Sequence, residues 1–152
     1  MGRGAYPLRT GYFVPMHFCL VDTVLERAPG RIVTLKQVTA GEEYLQDHFP
    51  TFPILPGVMM VEALVQASRL LAEQEGLGRR LVLGSARGIK YGAMVRPGEA
   101  LRVEAAVHGE PGSDGTVEFK ASGTVIGPGG AATGKTAVSG RISLRPARLG
   151  EA

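Results

Sequence analysis

The sequence lacks several features, and each absence excludes a class of protein. Cys19 is the only cysteine among 152 residues, which excludes an internal disulfide framework and a multi-cysteine metal site. No stretch approaches the roughly 18 consecutive apolar residues of a transmembrane helix. The first fifteen residues carry no apolar run of the kind found in signal peptides. We therefore expect a protein of the cytoplasm, a reducing compartment, with no membrane association.

The charge balance is also moderate. Lysine and arginine number 17 against 14 acidic residues, a net charge of +3, and no long basic run occurs. This excess suits an acidic partner but does not predict nucleic-acid binding. Hydrophobic residues make up 44% and charged residues 20% of the chain, as in an ordinary soluble domain. The length suits one domain, which we place over residues 16–146, between an N-terminal arm (1–15) and a C-terminal tail (147–152).

Hydrophobic patterning predicts strands on both sides of one long helix. Residues 19–25 and 31–39 are rich in apolar and β-branched residues around an Ala-Pro-Gly turn, which predicts a hairpin. Residues 58–75 contain no helix breaker and are apolar around nearly the whole circumference, which predicts a buried helix. Four later segments with hairpin-sized connections are predicted strands: 81–89, 100–108, 116–126 and 137–144. The sequence thus predicts an α+β domain whose antiparallel sheet wraps around the helix.

Two motifs invite a functional interpretation that their context does not favour. Residues 129–136, GGAATGKT, match the phosphate-binding pattern G-x-x-x-x-G-K-[ST]. That loop must open a helix, whereas the residues after it alternate like a strand, so we expect a hairpin tip. Pro50, Pro53 and Pro56 could form a polyproline ligand. The residues between them are apolar and lead into the predicted helix, so we expect a stiff, unexposed loop.

Two polar residues in apolar surroundings are the candidate catalytic groups. Glu62 falls in the second turn of the helix among methionine, valine and leucine residues. An ionised carboxylate is costly to desolvate there, so such a group tends to be neutral and kept for a chemical purpose. His48 stands just before the proline loop, and an imidazole exchanges protons near neutral pH. The structural alternatives are a carboxylate favoured near a helix N-terminus and a surface histidine that caps a turn.

A polar stripe continues from Glu62 along the helix. Gln66, Arg69 and Glu73 follow it at helical spacing on one face. We expect the stripe to line a cavity or to meet polar backbone. Gln66 is spaced to hydrogen-bond Glu62 or to hold a neighbouring loop, and the alternative is a buried amide with its hydrogen bonds satisfied.

These residues carry a resemblance to a known enzyme family. The segments Asp47-His48-Phe49-Pro50, Leu55-Pro56-Gly57-Val58 and Glu62-Ala63, with Gln66, resemble the β-hydroxyacyl-acyl carrier protein dehydratases of type II fatty acid synthesis. That family carries His-Phe-Pro, Pro-Gly-Val and Glu-Ala-x-x-Gln, with the glutamate fourteen residues after the histidine. His48 and Glu62 have the same separation. The resemblance covers roughly residues 20–126.

The resemblance implies a fold, an assembly and a reaction. The fold is the hot-dog fold, an antiparallel sheet wrapped around one long central helix. The assembly is a homodimer, which in many members forms a trimer of dimers, and each active site takes its histidine from one subunit and its glutamate from the other. The reaction removes water from a 3-hydroxyacyl thioester to give a trans-2-enoyl thioester. The substrate is carried on the phosphopantetheine arm of an acyl carrier protein. Related dehydratase-isomerases have aspartate in place of Glu62, so isomerase activity is not implied.

The chemistry of this elimination assigns roles to the candidates. A base must take the C2 proton and an acid must protonate the departing hydroxyl, roles that suit His48 and Glu62. The backbone amides of Gly57 and Val58 could stabilise the enolate-like oxygen, with Pro56 and Gln66 in support. No metal or other cofactor is required. Candidate walls of an acyl tunnel, each of which could equally be core packing, are Phe49, Phe52, Ile54, Met59 and Met60. Basic residues that could meet an acidic carrier protein are Arg79, Arg80, Arg87, Lys90 and Arg96.

The sequence departs from the family pattern beside the candidate site. Asp47 and Thr51 stand where the family usually has glycine, and residues 14–18 replace the usual Pro-His-Arg-Tyr-Pro stretch. These departures leave acyl chain length and the natural carrier open. Two alternatives also remain, a non-catalytic hot-dog subunit that binds acyl chains or pairs with an active dehydratase, and a hot-dog thioesterase.

Overall fold

A computed structural model describes residues 18–148, in which six strands form one sheet against one long helix. In chain order the elements are β1 (Thr23–Ala28), β2 (Arg31–Gln37), α1 (Gly57–Gln74), β3 (Leu81–Tyr91), β4 (Ala100–His108), β5 (Val117–Ile126) and β6 (Ala132–Pro146). Short 3₁₀ turns cover Glu43–Leu45 and Pro128–Gly130. The predicted arm, 1–15, lies outside the described residues, as do residues 149–152 of the predicted tail.

The sheet is antiparallel throughout, in the order β1-β2-β4-β5-β6-β3. The chain leaves β2, forms the helix, and returns to place β3 beyond β6 at the far edge. The helix contacts β2 to β6 across one face of the sheet. The predicted architecture, an antiparallel sheet with one long helix, is confirmed. Among the residues described, no helix has both the length and the hydrophobicity that crossing a membrane would require.

Strand β4 explains how the sheet divides into two faces. Leu101, Val103 and Ala105 are fully buried in the core on the helix side, whereas Arg102 and Glu104 between them are only partly buried. This is the alternation that the sequence predicts, because successive side chains of a strand point to opposite faces. The chemistry of each residue on the sheet therefore depends on which face it occupies.

The expectation that the helix is buried all round is wrong. Its core side chains, among them Leu64, Ala67 and Leu71, are fully buried, but Val58 is 73% exposed and Arg69 and Glu73 are exposed. The reason is geometric, since one sheet covers only one side of a helix. A side with apolar residues is left without a cover inside a single chain.

Strand β6 shows that the segment matching a nucleotide-binding loop does not form a phosphate site. This strand begins at Ala132, earlier than the predicted residue 137, so Lys135 and Thr136 lie within it. As far as residue 148, where the description ends, no helix begins after the glycines, and a phosphate site of that kind needs the amides of a helix N-terminus. The segment is the hairpin connection from β5 to β6, as the sequence predicts.

Substitution of a leucine on the buried face of the helix tests the packing of this fold directly. We expect Leu64→Ala to lower the free energy of unfolding by about 2 to 5 kcal/mol, because Leu64 is fully buried and its removal leaves a cavity. The matched control is Leu25→Ala on the edge strand β1, where the side chain is 51% exposed and the expected loss is below about 1 kcal/mol. Urea unfolding followed by circular dichroism measures both. Equal losses at the two sites would contradict the packing described.

Candidate active site

The loop before the helix holds His48 by hydrogen bonds of its own. The Phe52 amide donates to the Phe49 carbonyl at 3.0 Å and the Ile54 amide to the His48 carbonyl at 3.1 Å. Leu55, which is 2% exposed, donates from its amide to the Val95 carbonyl at 2.8 Å, which anchors the loop to the core. The three prolines restrict the backbone further. These bonds and prolines are consistent with the stiff loop that the sequence predicts.

The bond to His48 fixes which ring nitrogen is available for chemistry. Nδ1 lies 3.1 Å from the carbonyl oxygen of Ile54, and the half-buried ring stacks on Phe49 with 4.5 Å between centroids. A carbonyl oxygen only accepts, so the proton of the neutral imidazole is on Nδ1. Nε2 is then the nitrogen with a free lone pair, which is what a general base needs.

Gln66 holds Glu62 and a neighbouring segment at the same time. Its Nε2 donates to Glu62 Oε1 at 3.0 Å and to the Phe18 carbonyl at 3.1 Å, while its Oε1 accepts from the Leu20 amide at 2.8 Å. Gln66 is 5% exposed. Both predicted contacts of Gln66, to Glu62 and to a loop, are confirmed.

Glu62 itself is less enclosed than the sequence suggests. It is half-buried, because it lies beside the side of the helix that the sheet does not cover. The expectation of a carboxyl fully surrounded by apolar side chains is therefore wrong within one chain. Its hydrogen bond goes to Gln66, whereas that of His48 goes to Ile54, and no hydrogen bond joins the two candidates among residues 18–148.

The start of α1 presents backbone donors. The amides of Met59 and Met60 both donate to the Pro56 carbonyl, and no side chain caps the helix. The amides of Gly57 and Val58 have no acceptor within the described part of the chain. The ring of Tyr91 lies so close that a Cβ at Gly57 would be 2.8 Å from its Cε1 atom. Tyr91, which no sequence signal identified, is thus a neighbour of these donors.

The five predicted tunnel residues occupy different environments. Phe49 and Phe52 are 52% and 43% exposed, Ile54 and Met59 are partly buried, and Met60 belongs to the core. The expectation that the loop is unexposed is wrong for Phe52, whose ring lies at the surface with the Arg96 guanidinium 4.3 Å from its centroid. The reason is that only the end of this loop, Leu55 and Pro56, is buried.

A cavity of about 490 Å³ lies instead along the polar stripe of the helix. Gln66, Arg69 and Glu73 line it, so the stripe lines a cavity as predicted. None of the five tunnel candidates contributes to its wall. Residues that sequence reasoning missed complete the lining: Cys19, Val21, Leu70, Gly78 and Leu81. The helical spacing of the stripe was the one signal that pointed to it.

The predicted basic cluster is divided among three places. Arg79 and Arg80 line this cavity, and Arg96 lies on Phe52. Arg87 and Lys90 line a second cavity, of about 760 Å³, on the opposite face of the sheet. There Lys120, Arg141 and Arg87 stand directly opposite one another on β5, β6 and β3. The cluster is dispersed because strand direction and alternation, rather than closeness in sequence, decide the position of each side chain.

Comparisons with known proteins agree on a family. The family profile described as "FabA-like domain" matches residues 14–128, which include His48 and Glu62. A protein of Bacillus cereus (strain AH820), named 3-hydroxyacyl-[acyl-carrier-protein] dehydratase FabZ, is 41% identical over 113 residues, 72% of this chain and 77% of that protein. A protein of the same name from Lactococcus lactis subsp. cremoris (strain MG1363) is 36% identical over 107 residues, 69% of this chain and 74% of that protein.

Solved structures agree with the fold. The dehydratase heterocomplex ApeI:P from Xenorhabdus doucetiae matches with a TM-score of 0.58 at 17% identity, over 82% of this chain and 96% of that chain. Zebra fish thioesterase superfamily member 2 matches with a TM-score of 0.61 at 21% identity, over 82% of this chain and 80% of that chain. The predicted α+β hot-dog fold is confirmed. With the profile covering most of its length, the chain belongs to the family of FabA-like domain proteins.

Proposed function

We propose that this protein is a 3-hydroxyacyl-[acyl-carrier-protein] dehydratase of fatty acid biosynthesis. It removes water from a 3-hydroxyacyl thioester and leaves a trans-2-enoyl thioester, so it is a hydro-lyase. The observation that carries this conclusion is the 41% identity to a dehydratase of that name, over most of both chains. Its residue roles follow from the geometry of His48, Glu62 and the helix start.

His48 is the base of the proposed mechanism. The Ile54 carbonyl holds the proton on Nδ1, so Nε2 can take the C2 proton of the substrate. As that proton leaves, negative charge develops on the thioester oxygen. The amides of Gly57 and Val58 find no acceptor among residues 18–148 and lie at the positive end of the helix dipole, so they are placed to stabilise that charge.

Glu62 is the acid. In its protonated form it gives a proton to the C3 hydroxyl as the C–O bond breaks, which releases water. Gln66 binds Oε1, which leaves Oε2 to face the substrate. The proton taken by His48 then replaces the one that Glu62 has lost, so the cycle closes without an oxidant, a reductant or a cofactor.

Substitution of the two candidates tests these roles. We expect His48→Ala and Glu62→Gln each to lower dehydration of a 3-hydroxyacyl thioester by about 100-fold or more, because each removes one proton transfer. The controls are His108→Ala and Glu110→Gln, which change the same residue types away from the candidate site and its cavity. The absorbance of the enoyl product measures the rate.

Other outcomes point to other functions. Full turnover in both variants would contradict the assigned roles. Thiol release from an acyl thioester that lacks a 3-hydroxyl group would indicate a thioesterase. Tight acyl-carrier binding without turnover would indicate a non-catalytic subunit.

The active enzyme in this proposal is a homodimer formed at β3, which in turn could assemble as a trimer of dimers. Strand β3 is an edge of the sheet and leaves backbone groups unpaired. On its helix side Leu83 and Tyr91 are 41% and 56% exposed, and Val58 on the helix is 73% exposed. A second copy would cover these apolar side chains and would bring a second His48 towards Glu62. The assembly thereby explains why one chain leaves the two candidates apart.

Mixing two inactive variants tests whether the site is shared. If each site takes His48 from one subunit and Glu62 from the other, a His48→Ala subunit paired with a Glu62→Gln subunit forms one intact site. Unfolding and refolding an equal mixture should then recover about a quarter of the wild-type activity, since about half of the dimers are mixed and each has one working site. Either variant refolded alone is the control. No recovery in a mixture shown to contain mixed dimers would contradict a shared site.

The partner in this proposal is an acidic acyl carrier protein that brings the substrate on phosphopantetheine. The cavity beside Gln66 has apolar wall residues for an acyl or pantetheine chain, and Arg79 and Arg80 supply positive charge for the carrier. The cytoplasmic location and the open chain-length preference stay predictions.

Charge reversal tests this docking site. We expect the double variant Arg79→Glu, Arg80→Glu to raise KM for the carrier-bound substrate by about tenfold or more, because like charges would oppose encounter. The KM for a short N-acetylcysteamine thioester should change little. The control is Lys120→Glu with Arg141→Glu, which makes the same charge change on the other face of the sheet, on β5 and β6 rather than on the proposed dimer strand. A larger rise in KM for the control would place the carrier on that face instead.

A further inference from the structure

A buried ion pair lies between the two segments that lead to the candidate site. Lys36 lies on β2 opposite Leu101, on the helix side of the sheet, and is only 8% exposed. Its Nζ binds Glu42 Oε1 and lies 3.5 Å from Asp22 Oδ2. A buried ammonium is costly unless it is paired, so this lysine needs both carboxylates nearby. The mechanism proposed above gives these three residues no task.

Glu42 is bound by several donors at once. Besides Lys36 on Oε1, its Oε2 accepts from the Tyr44 hydroxyl at 2.8 Å and from the Thr39 amide at 3.4 Å. Burial, and then the hydrogen bond to Glu42, raise the pKa of the Tyr44 hydroxyl far above its ordinary value, so Tyr44 remains a donor. The Glu42 side chain is 15% exposed. This carboxylate therefore links the Lys36 and Tyr44 side chains to the backbone at Thr39.

The two carboxylates near Lys36 belong to chain segments that each lead to one catalytic candidate. After Glu42, the chain passes through the 3₁₀ turn that buries Leu45 and reaches His48 six residues on. Asp22 binds the Gln37 amide at 2.6 Å and ends the segment 18–22. Phe18 and Leu20 of that segment are the residues that Gln66 binds while it holds Glu62. Lys36 thus joins the segment 42–48, which leads to His48, to the segment 18–22, which Gln66 binds while it holds Glu62.

We infer that Lys36 and Glu42 are positioning residues for the dehydration, an inference that rests on the proposed function. They touch neither substrate nor reacting atoms. They hold the 18–22 and 42–48 segments in register, and so fix the direction of the His48 ring and of the Glu62 carboxyl. A displacement of about 1 Å at a reacting group can lower a rate by about 100-fold, so a distant support of this kind can have a large effect on kcat.

Glu42→Gln is the main test, because it removes the charge and keeps an acceptor for Tyr44 and Thr39. We expect kcat to fall by about tenfold or more while KM changes by less than about twofold. Lys36→Met should have a larger effect, since it leaves a carboxylate buried without its cation. Rates are taken per folded molecule, from the fraction folded at the assay temperature. If Lys36→Met does not fold, the kcat of Glu42→Gln alone tests the positioning role.

Two readouts separate positioning from mere stabilisation. The ¹⁵N resonances of the His48 ring, assigned by their loss in His48→Ala, should shift in Glu42→Gln as the bond to Ile54 changes. In the double variant Lys36→Met, Glu42→Gln the more buried of the two carboxylates is no longer charged, and Asp22, whose side chain is 44% exposed, stays in contact with solvent. The melting temperature should therefore recover relative to Lys36→Met. The rate should not recover, because the tether between the segments is still absent.

The matched control is Arg31→Met. It removes the ion pairs with Glu26 and Glu104 on the outer face of the same strand and should change neither kcat nor the His48 signals. Unchanged kcat and His48 signals in Glu42→Gln, or a rate that recovers together with the melting temperature, would overturn the inference. An inactive wild-type protein would instead contradict the proposed function, and the ring resonances would still test the positioning role.

Discussion

The candidate site depends on one buried amide, that of Gln66. Its oxygen takes the Leu20 amide proton, so its nitrogen must face oxygen atoms, and the two it meets belong to Phe18 and Glu62. A side chain held at both ends in a buried position has little freedom to rotate. The helix, the segment before β1 and the acid are therefore fixed relative to one another by three hydrogen bonds. Exchange of the amide for a carboxylate or an aliphatic group would remove more than one of them.

The parts of this structure that could be predicted depend on local sequence. The observed α1 begins at Gly57, directly after Pro56, and β4 covers the predicted residues 100–108, because breakers and alternation mark such limits. The His48 and Glu62 candidates followed from a polar residue in an apolar setting and from the family spacing. The bond from Gln66 to Glu62 followed from helical spacing.

What could not be predicted depends on long-range packing. Arg87 and Lys90 are three residues apart, which in a regular strand would place them on opposite faces. An irregularity in the β3–β6 register between them puts both on the outer face. Likewise the exposure of Val58 depends on how much of the helix one sheet can cover. The burial of Lys36 depends on the meeting of two carboxylates, Asp22 and Glu42, that are distant from each other in sequence. None of these follows from spacing.

The outer face of the sheet has a consequence for the conditions under which the protein is stable. Lys120, Arg141 and Arg87 form a row of cations across three adjacent strands, and Glu118 pairs with Arg87 alone. Like charges directly opposite each other on a sheet repel. Dissolved anions that gather over this row screen the charges, so the repulsion between them falls as salt is added. For this face the surrounding electrolyte acts as a stabilising component of the fold.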